Sequence, residues 1–279
     1  MKLIAGIFGL TLLSLFSCQT NNKKAGKVDP EKESIIFKDS SGNVLWEADL
    51  ANTTGQVNYE MTGNKTINLE AKSLHEEART LGQAGNYDAA IAKLEQAMQI
   101  QPDWAYPVYD LAFTYLLKQD FDKALTFYKK TDELEPKGFF TAKTAIYTLE
   151  GEKTGKFPQG LYSVYMQIEW ADDRSKKLQL AKAIVAKTPA FAPAWKEVAV
   201  SSDNKEEKAN AIEQGLSNDP DAETKGMLLI NKAIVLNENG NKAEATRLLG
   251  NLIFSPDATT ANIELAKFIL RSVAGKVSH

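Results

Sequence analysis

The chain has 279 residues, of which 43% are hydrophobic and 25% are charged, and its formal net charge is −3. This mildly acidic balance gives no electrostatic footprint for nucleic acid, so a role on DNA or RNA is not expected. The single cysteine, Cys18, excludes an intramolecular disulfide and a thiolate metal site.

The chain begins with the pattern of a secretory signal. Lys2 precedes an apolar run from Leu3 to Phe16, and the small residue Ser17 follows the run. A helix of this length would span ~21 Å, which is shorter than the ~30 Å hydrocarbon core of a bilayer. We therefore predict a signal peptide over residues 1–17 rather than an anchor helix.

The end of the apolar run, Leu15-Phe16-Ser17-Cys18, resembles the lipobox of bacterial lipoproteins. The resemblance implies that Cys18 is acylated, for example with palmitate, and becomes the first residue of the mature chain. Several acyl chains would hold the protein firmly to a membrane. No acid occurs in the next four residues, which resembles the default outer-membrane address, so we expect a domain that faces the periplasm. The alternative is an ordinary cleaved signal with an incidental cysteine.

A polar linker is predicted over residues 18–33 and a small β-rich segment over residues 34–67. The runs Ile35–Phe37 and Val44–Trp46 flank a turn, which predicts a β-hairpin, and the alternation from Val57 to Met61 predicts a further strand. We expect this sheet to cap the first helices. The alternative is an edge strand that recruits a partner by β-augmentation.

The next segment contains a repeat with a fixed offset. Gly85–Ile91 recurs as Gln119–Leu125, and the two phrases continue to Pro102 and Pro136, which lie 34 residues apart. A fixed period of this size predicts stacked helical hairpins. Small residues at matching positions, Ala90 and Ala124 among them, would let the two helices of a hairpin cross closely.

In its small and large positions, the segment 71–138 resembles two tetratricopeptide repeats. The resemblance implies an all-α, right-handed superhelix of helix–turn–helix units, which binds peptides or proteins in a concave groove. Residues 139–273 are predicted to be degenerate repeats that end in a capping helix, with an extra helix or an insertion around Gly151–Pro158. We expect about ten to twelve helices in total.

Residues that could carry catalysis are scarce. Of the two histidines, His279 is terminal and His75 is expected at an exposed helical position. The acids from Asp219 to Glu223 lack the length and the central glycine of a calcium loop. The stretch 151–156 lacks the spacing of a phosphate loop and is expected to be an ordinary loop. We therefore expect no enzyme activity, no cofactor and no metal.

The resemblance also implies which side chains line the groove: Arg79, Tyr106, Tyr109, Phe113, Phe140, Lys143 and Tyr147. Tyr106, Tyr109 and Phe113 share one helix face at spacings of three and four. An aromatic groove with a cationic rim suits an extended peptide or an amphipathic helix, and truncation of Tyr106 and Tyr109 should then weaken binding without loss of stability. The alternative is that a neighbouring helix covers these side chains.

Two functions follow from these observations. The first is a membrane-tethered scaffold of the bacterial cell envelope that binds a protein or peptide partner. The second is a glycan-binding lipoprotein of a nutrient-uptake system, with tryptophan and tyrosine as sugar platforms. Such glycan binders are usually longer and carry large inserted loops, so we favour the scaffold.

Overall fold

The computed structural model describes residues 34–38, 58–62 and 66–274. The predicted signal peptide, Cys18 and the predicted linker lie outside the described residues, as does the predicted strand Val44–Trp46. Strands β1 (Ser34–Lys38) and β2 (Asn58–Thr62) pair antiparallel, with Ile36 opposite Glu60. The segment predicted as a further strand is thus the partner of β1, and the predicted hairpin with Val44–Trp46 stays a prediction.

Everything from residue 69 onward in the described chain is helical or a short connection. The helices are α1 (Leu69–Gln83), α2 (Tyr87–Ile100), α3 (Ala105–Leu117), α4 (Phe121–Leu134), α5 (Ala142–Thr154), α6 (Leu161–Glu169), α7 (Arg174–Lys187), α8 (Ala192–Ser201), α9 (Lys205–Ser217), α10 (Ala222–Glu238), α11 (Lys242–Ile253) and α12 (Thr260–Ala274). Twelve helices in these residues confirm the expected number.

The first two hairpins, α1–α2 and α3–α4, are built as the repeat pattern predicts. Ala90 and Ala124 are 1% and 0% exposed, so the small residues that the pattern marks are packed in the core. Asp120 caps α4 by accepting a hydrogen bond from the Lys123 amide at 3.2 Å. Asn86 occupies the same position before α2, but its side chain makes no capping hydrogen bond.

The long interval between Pro136 and Pro189 contains three helices, so of the two predicted alternatives, an extra helix or an insertion, the structure has the extra helix. The expectation of a loop from residue 151 is wrong for its first part, because Gly151 lies within α5, which ends at Thr154. The ring of Phe157 folds back onto Gly151, where an added Cβ would lie 2.1 Å from the Phe157 Cδ2 atom. The glycine therefore makes room for a core aromatic ring, and the chain turns only at Gly155, where φ is 77°.

The C-terminal helices return to the start of α5. The Thr260 amide donates to the Lys137 carbonyl at 2.8 Å, and the Lys137 ammonium donates to the Pro256 carbonyl. Gly138 permits this approach, because a Cβ there would lie 2.8 Å from a Thr259 methyl carbon. The helical stack therefore makes contacts between residues more than 100 positions apart in sequence.

Two hydrophobic cores divide the helices between them. The first contains buried residues from Ala78 to Leu228, and the second contains buried residues from Ile230 to Val273. The boundary falls inside α10, so this helix contributes to both cores. The second core comes from the last three helices and from Ala258 in the connection between α11 and α12.

Candidate binding surface

Helix α3 separates a buried face from an aromatic face, as its sequence predicts. Val108, Leu111 and Ala112 are each 0% exposed and belong to the core. Tyr106 and Phe113 lie on the other face and are partly exposed. Tyr106 and Phe113 are therefore accessible in part, and the aromatic face is the starting point for the candidate site.

At the start of α3, Tyr106 belongs to an aromatic cluster. Its ring meets Phe139 edge to face with centroids 4.8 Å apart, and it meets Phe140 at 5.5 Å. Trp104 lies 6.2 Å from it on the other side. Phe140 adopts a φ of 48°, a left-handed conformation that a bulky residue adopts rarely. The structure thus brings together Tyr106 and Phe140, two of the predicted groove residues.

Tyr109 lies deeper than the sequence suggested. Its hydroxyl is hydrogen-bonded to the Thr141 hydroxyl at 2.9 Å, and its ring packs against Phe139, Phe140 and Tyr128. Burial raises the pKa of Tyr109 well above its ordinary value. A truncation of Tyr109 would therefore remove internal contacts and cost stability, whereas the sequence-based expectation was that stability would be unchanged.

At the other end of α3, Phe113 faces Trp170, the residue that follows α6. The two rings lie edge to face with centroids 6.3 Å apart, and 38% of Trp170 is exposed. Leu117, one turn further along α3, is partly exposed as well. We call Phe113, Leu117 and Trp170 the aromatic lip. Trp170 was missed in the sequence because no repeat position marks it.

The predicted exposure of His75 is wrong. The side chain is 6% exposed, and its Nε2 atom lies 2.7 Å from Asp110 Oδ2, in a hydrogen bond between α1 and α3. Trp104 and Tyr106 flank the imidazole at 4.9 and 6.1 Å. His75 therefore fixes the spacing of two neighbouring units. Arg79, one turn later on α1, is partly exposed, as expected for a groove residue.

The predicted cationic rim differs from the observed arrangement. The Lys143 ammonium is paired with the Asp132 carboxylate at 2.6 Å, and only 20% of the lysine side chain is exposed. Tyr147 donates a hydrogen bond to the Asn218 carbonyl at 3.4 Å, and the Lys156 ammonium lies 4.8 Å from its ring centroid. Burial, with Asp221 and Asp219 nearby, raises the pKa of Tyr147 to about 12. Lys143 and Tyr147 therefore both make contacts within the chain.

The acids at the start of α10 have a structural role that sequence reasoning did not find. Glu223 accepts hydrogen bonds from the Lys143 amide at 3.3 Å and from the Thr144 amide at 3.1 Å. The Thr144 hydroxyl oxygen lies 3.0 Å from a carboxyl oxygen of Glu223 and 3.0 Å from one of Asp221, and its single hydrogen is shared between them. Burial and the neighbouring Asp221 carboxylate raise the pKa of Glu223 to about 8, and the hydrogen bonds from Thr144 and Lys143 partly oppose the shift.

A second group of buried charges lies between α6 and α8. Glu197 accepts a hydrogen bond from the Tyr165 hydroxyl at 3.0 Å and is ion-paired with Lys196. Burial and the nearby Glu197 carboxylate raise the pKa of Glu169. Within the described part of the chain, no group of three or more His, Cys, Asp or Glu side chains is arranged to hold a metal ion.

One shallow cleft lies away from the aromatic lip. It has a volume of about 340 Å³ and lies between α7, α8 and α9, with Val185, Trp195 and Val198 among its lining residues. The Lys182–Glu207 ion pair at 2.6 Å borders the cleft, so these two charged groups are already paired with each other.

Among the helices that the structure describes, none is long and apolar enough to cross a membrane.

Paired antiparallel helices with a repeated junction define a helical-repeat protein. Residues 82–142, from the end of α1 to the start of α5, match the family model of the tetratricopeptide repeat. This segment contains α2, α3 and α4 and therefore both matching repeat phrases. A search of curated proteins found no match to the chain.

The solved structures with a similar arrangement have low sequence identity to the chain. A fragment of MamA from Desulfovibrio magneticus is 16% identical, with 72% of this chain and 98% of that chain covered and a TM-score of 0.32. A tetratricopeptide repeat protein from Thermus thermophilus is 16% identical, with 72% and 100% covered and a TM-score of 0.30. A domain of yeast Sti1, solved as a complex with a pHSP90 segment, is 13% identical, with 74% and 86% covered and a TM-score of 0.35.

Proposed function

We propose that the protein is a lipid-anchored scaffold of the bacterial cell envelope that binds a protein or peptide segment. In this proposal, Cys18 carries the anchor, and the helical units form a right-handed superhelix whose concave side holds the partner. The protein has no catalytic role of its own and acts by holding its partner near the outer membrane, on the periplasmic side.

The observation that carries the proposal is the aromatic lip. Phe113 and Trp170 come from different helical units, yet their rings meet at a partly exposed surface. Large aromatic side chains held rigidly at a surface supply binding free energy at a small cost in conformational entropy. Phe113 and Leu117 lie at the end of α3 inside the segment that matches the tetratricopeptide repeat, whereas Trp170 lies outside that segment. Repeats of this family mediate protein–protein interactions.

Tyr106 and Phe140 extend this surface toward the start of α3. Arg79 on α1 is partly exposed, and in this proposal it supplies a positive charge to the groove. Tyr109, Lys143 and Tyr147 support the surface through internal contacts with Thr141, Asp132 and Asn218. A partner with an apolar anchor residue and neighbouring polar groups suits such a surface.

Site-specific photo-crosslinking in cells tests the proposal. A photoreactive phenylalanine derivative in place of Trp170 or Phe113 should give one discrete adduct, which mass spectrometry then identifies. The same derivative at Phe254, which is 88% exposed at the end of α11, is the matched control and should not give that adduct. Equal adducts at all three positions, or none at Trp170 and Phe113, would contradict the proposal.

Binding measurements with the identified partner complete the test. Trp170→Ala should weaken its binding by about 2 kcal/mol or more, as expected for a central aromatic anchor. Phe254→Ala should leave the affinity unchanged. Thermal melts of both variants should stay close to that of the parent, because both side chains are more than one-third exposed.

A further inference from the structure

One stretch of the chain covers residues that the groove would otherwise expose. This stretch, Asn218–Glu223, joins α9 to α10, and we call it the latch. Its Asn218 carbonyl accepts a hydrogen bond from Tyr147, and its Glu223 carboxylate accepts two from the first turn of α5. The predicted groove positions on α5 are thus occupied by a segment of the same chain.

The contacts of the latch with α5 are polar. Glu223 lies opposite the Lys143 and Thr144 amides, which are in the first turn of α5 and have no acceptor within their own helix. The Thr144 hydroxyl adds bonds to Asp221 and Glu223. Because hydrogen bonds exchange with water, their net contribution to stability is modest compared with that of a buried apolar contact. Such a contact can open without unfolding of the cores.

The latch is also joined to the start of α12. The Asn262 side-chain amide donates to the Ala222 carbonyl at 3.3 Å and to the Glu223 carbonyl at 3.0 Å. Gly226 lets Asn262 approach, since a Cβ at Gly226 would lie 2.0 Å from its Nδ2 atom. Two residues earlier, the Thr260 amide is bonded to the Lys137 carbonyl. The latch and the start of α12 are therefore both hydrogen-bonded to the Lys137–Thr144 segment.

We infer that the latch is a built-in strap that closes the α5 part of the groove and opens as one unit with the start of α12. This inference rests on the proposed function for the groove itself, whereas the opening is a property of the isolated chain. Within the latch, Asp219 adopts a left-handed φ of 48° and is exposed, so this part of the segment has little packing to hold it closed. A partner that binds the open form would shift the equilibrium toward it.

Hydrogen exchange on the purified full chain in detergent tests the opening. Since Glu223 accepts the hydrogen bonds of the Lys143 and Thr144 amides, Glu223→Ala should speed their exchange at least tenfold. If the latch opens as a unit, exchange at the Thr260 amide should rise by a similar factor, although Thr260 does not contact Glu223. An unchanged Thr260 rate would overturn the inference, as would unchanged rates at Lys143 and Thr144.

The matched control is Asp173→Ala. Asp173 caps α7 by accepting a hydrogen bond from the Lys176 amide at 2.7 Å, within its own helix. Its loss should speed exchange at Lys176 alone. If Glu223→Ala fails to fold, Thr144→Val removes one hydroxyl donor and keeps the amide, and Thr144→Ser should restore the parental exchange rates. Equal exchange in Thr144→Val and Thr144→Ser would overturn the role of the latch hydroxyl bonds.

A second measurement separates the latch from the groove. Photo-crosslinking at Tyr147 in the Glu223→Ala chain should give more of the adduct seen at Trp170 than it gives in the parent. Faster exchange without any gain at Tyr147 would show an opening segment that does not control the groove, and would overturn the strap role. No adduct at Trp170 or Phe113 in either chain would count against the proposed function, while the exchange result would stand.

Discussion

At the residue scale, Glu223 makes folding sensitive to pH. Its pKa rises from an ordinary value near 4.5 to about 8 in the folded protein, so the folded state holds this proton more tightly than the unfolded chain does. Its contribution to stability is complete below the ordinary value and is lost as the pH rises through 8. The direction is opposite to that of an exposed, salt-bridged carboxylate.

The prediction compares Glu223→Gln with the parent in urea unfolding at pH 6 and pH 8.5. The neutral side chain of Gln cannot ionise, so the variant should gain stability relative to the parent as the pH rises, by about 1 kcal/mol or more. Glu207→Gln is the control, because hydrogen bonds from Lys182 and Ser202 lower the pKa of Glu207. Its difference from the parent should be the same at both pH values. If the stabilities of Glu223→Gln and Glu207→Gln changed with pH in the same way, the raised pKa of Glu223 would be refuted.

At the scale of the element, the repeat units depend on alanines at helix crossings. Ala124 is 0% exposed, so Ala124→Leu must force a larger side chain into a filled space and should lower stability by ~1–3 kcal/mol. Ala89→Leu is the matched control, because Ala89 is an exposed residue of α2. Thermal melts should separate the two variants by several degrees. Coincident melts would show that the assigned crossing is wrong.

Local sequence signals predicted some elements and missed others. The period and the small residues predicted the paired helices of residues 71–138, and the proline spacing predicted an extra helix or an insertion in the long interval. The sequence could not show that Gly151 is helical, because the reason is the Phe157 ring that packs onto it. A glycine inside a helix is recognisable as a packing residue only once its neighbour is known.

The candidate site could be predicted only in part, because it depends on contacts between residues that are far apart in the sequence. The predicted face of α3 was found, but its partner Trp170 belongs to a helical unit without a clear repeat pattern. The bond between Thr144 and Glu223 joins residues 79 positions apart, and no periodic signal relates them. His75 and Asp110 offered a weak signal, since they lie 35 positions apart, close to one repeat period.

At the scale of the whole molecule, the predicted lipid anchor at Cys18 would hold the helical repeats at the membrane. Cys18→Ser should release the protein from the membrane fraction into the soluble exported fraction, because acylation needs the thiol. Fractionation after a high-salt wash measures this directly. Lys27→Gln, in the predicted linker and outside the lipobox, is the control and should stay in the membrane pellet. Retention of the Cys18→Ser chain after the wash would rule out acylation at this residue as its attachment.

The hydrogen bonds between α5 and α10 also affect the order in which parts of the chain can fold. A chain that emerges from its N-terminus completes α1 to α4 from neighbouring residues, and these hairpins can form early. The first turn of α5 must wait for about 80 further residues before Glu223 arrives to cap it. The first turn of α5 is therefore completed later than the hairpins that precede it, although it is made directly after them.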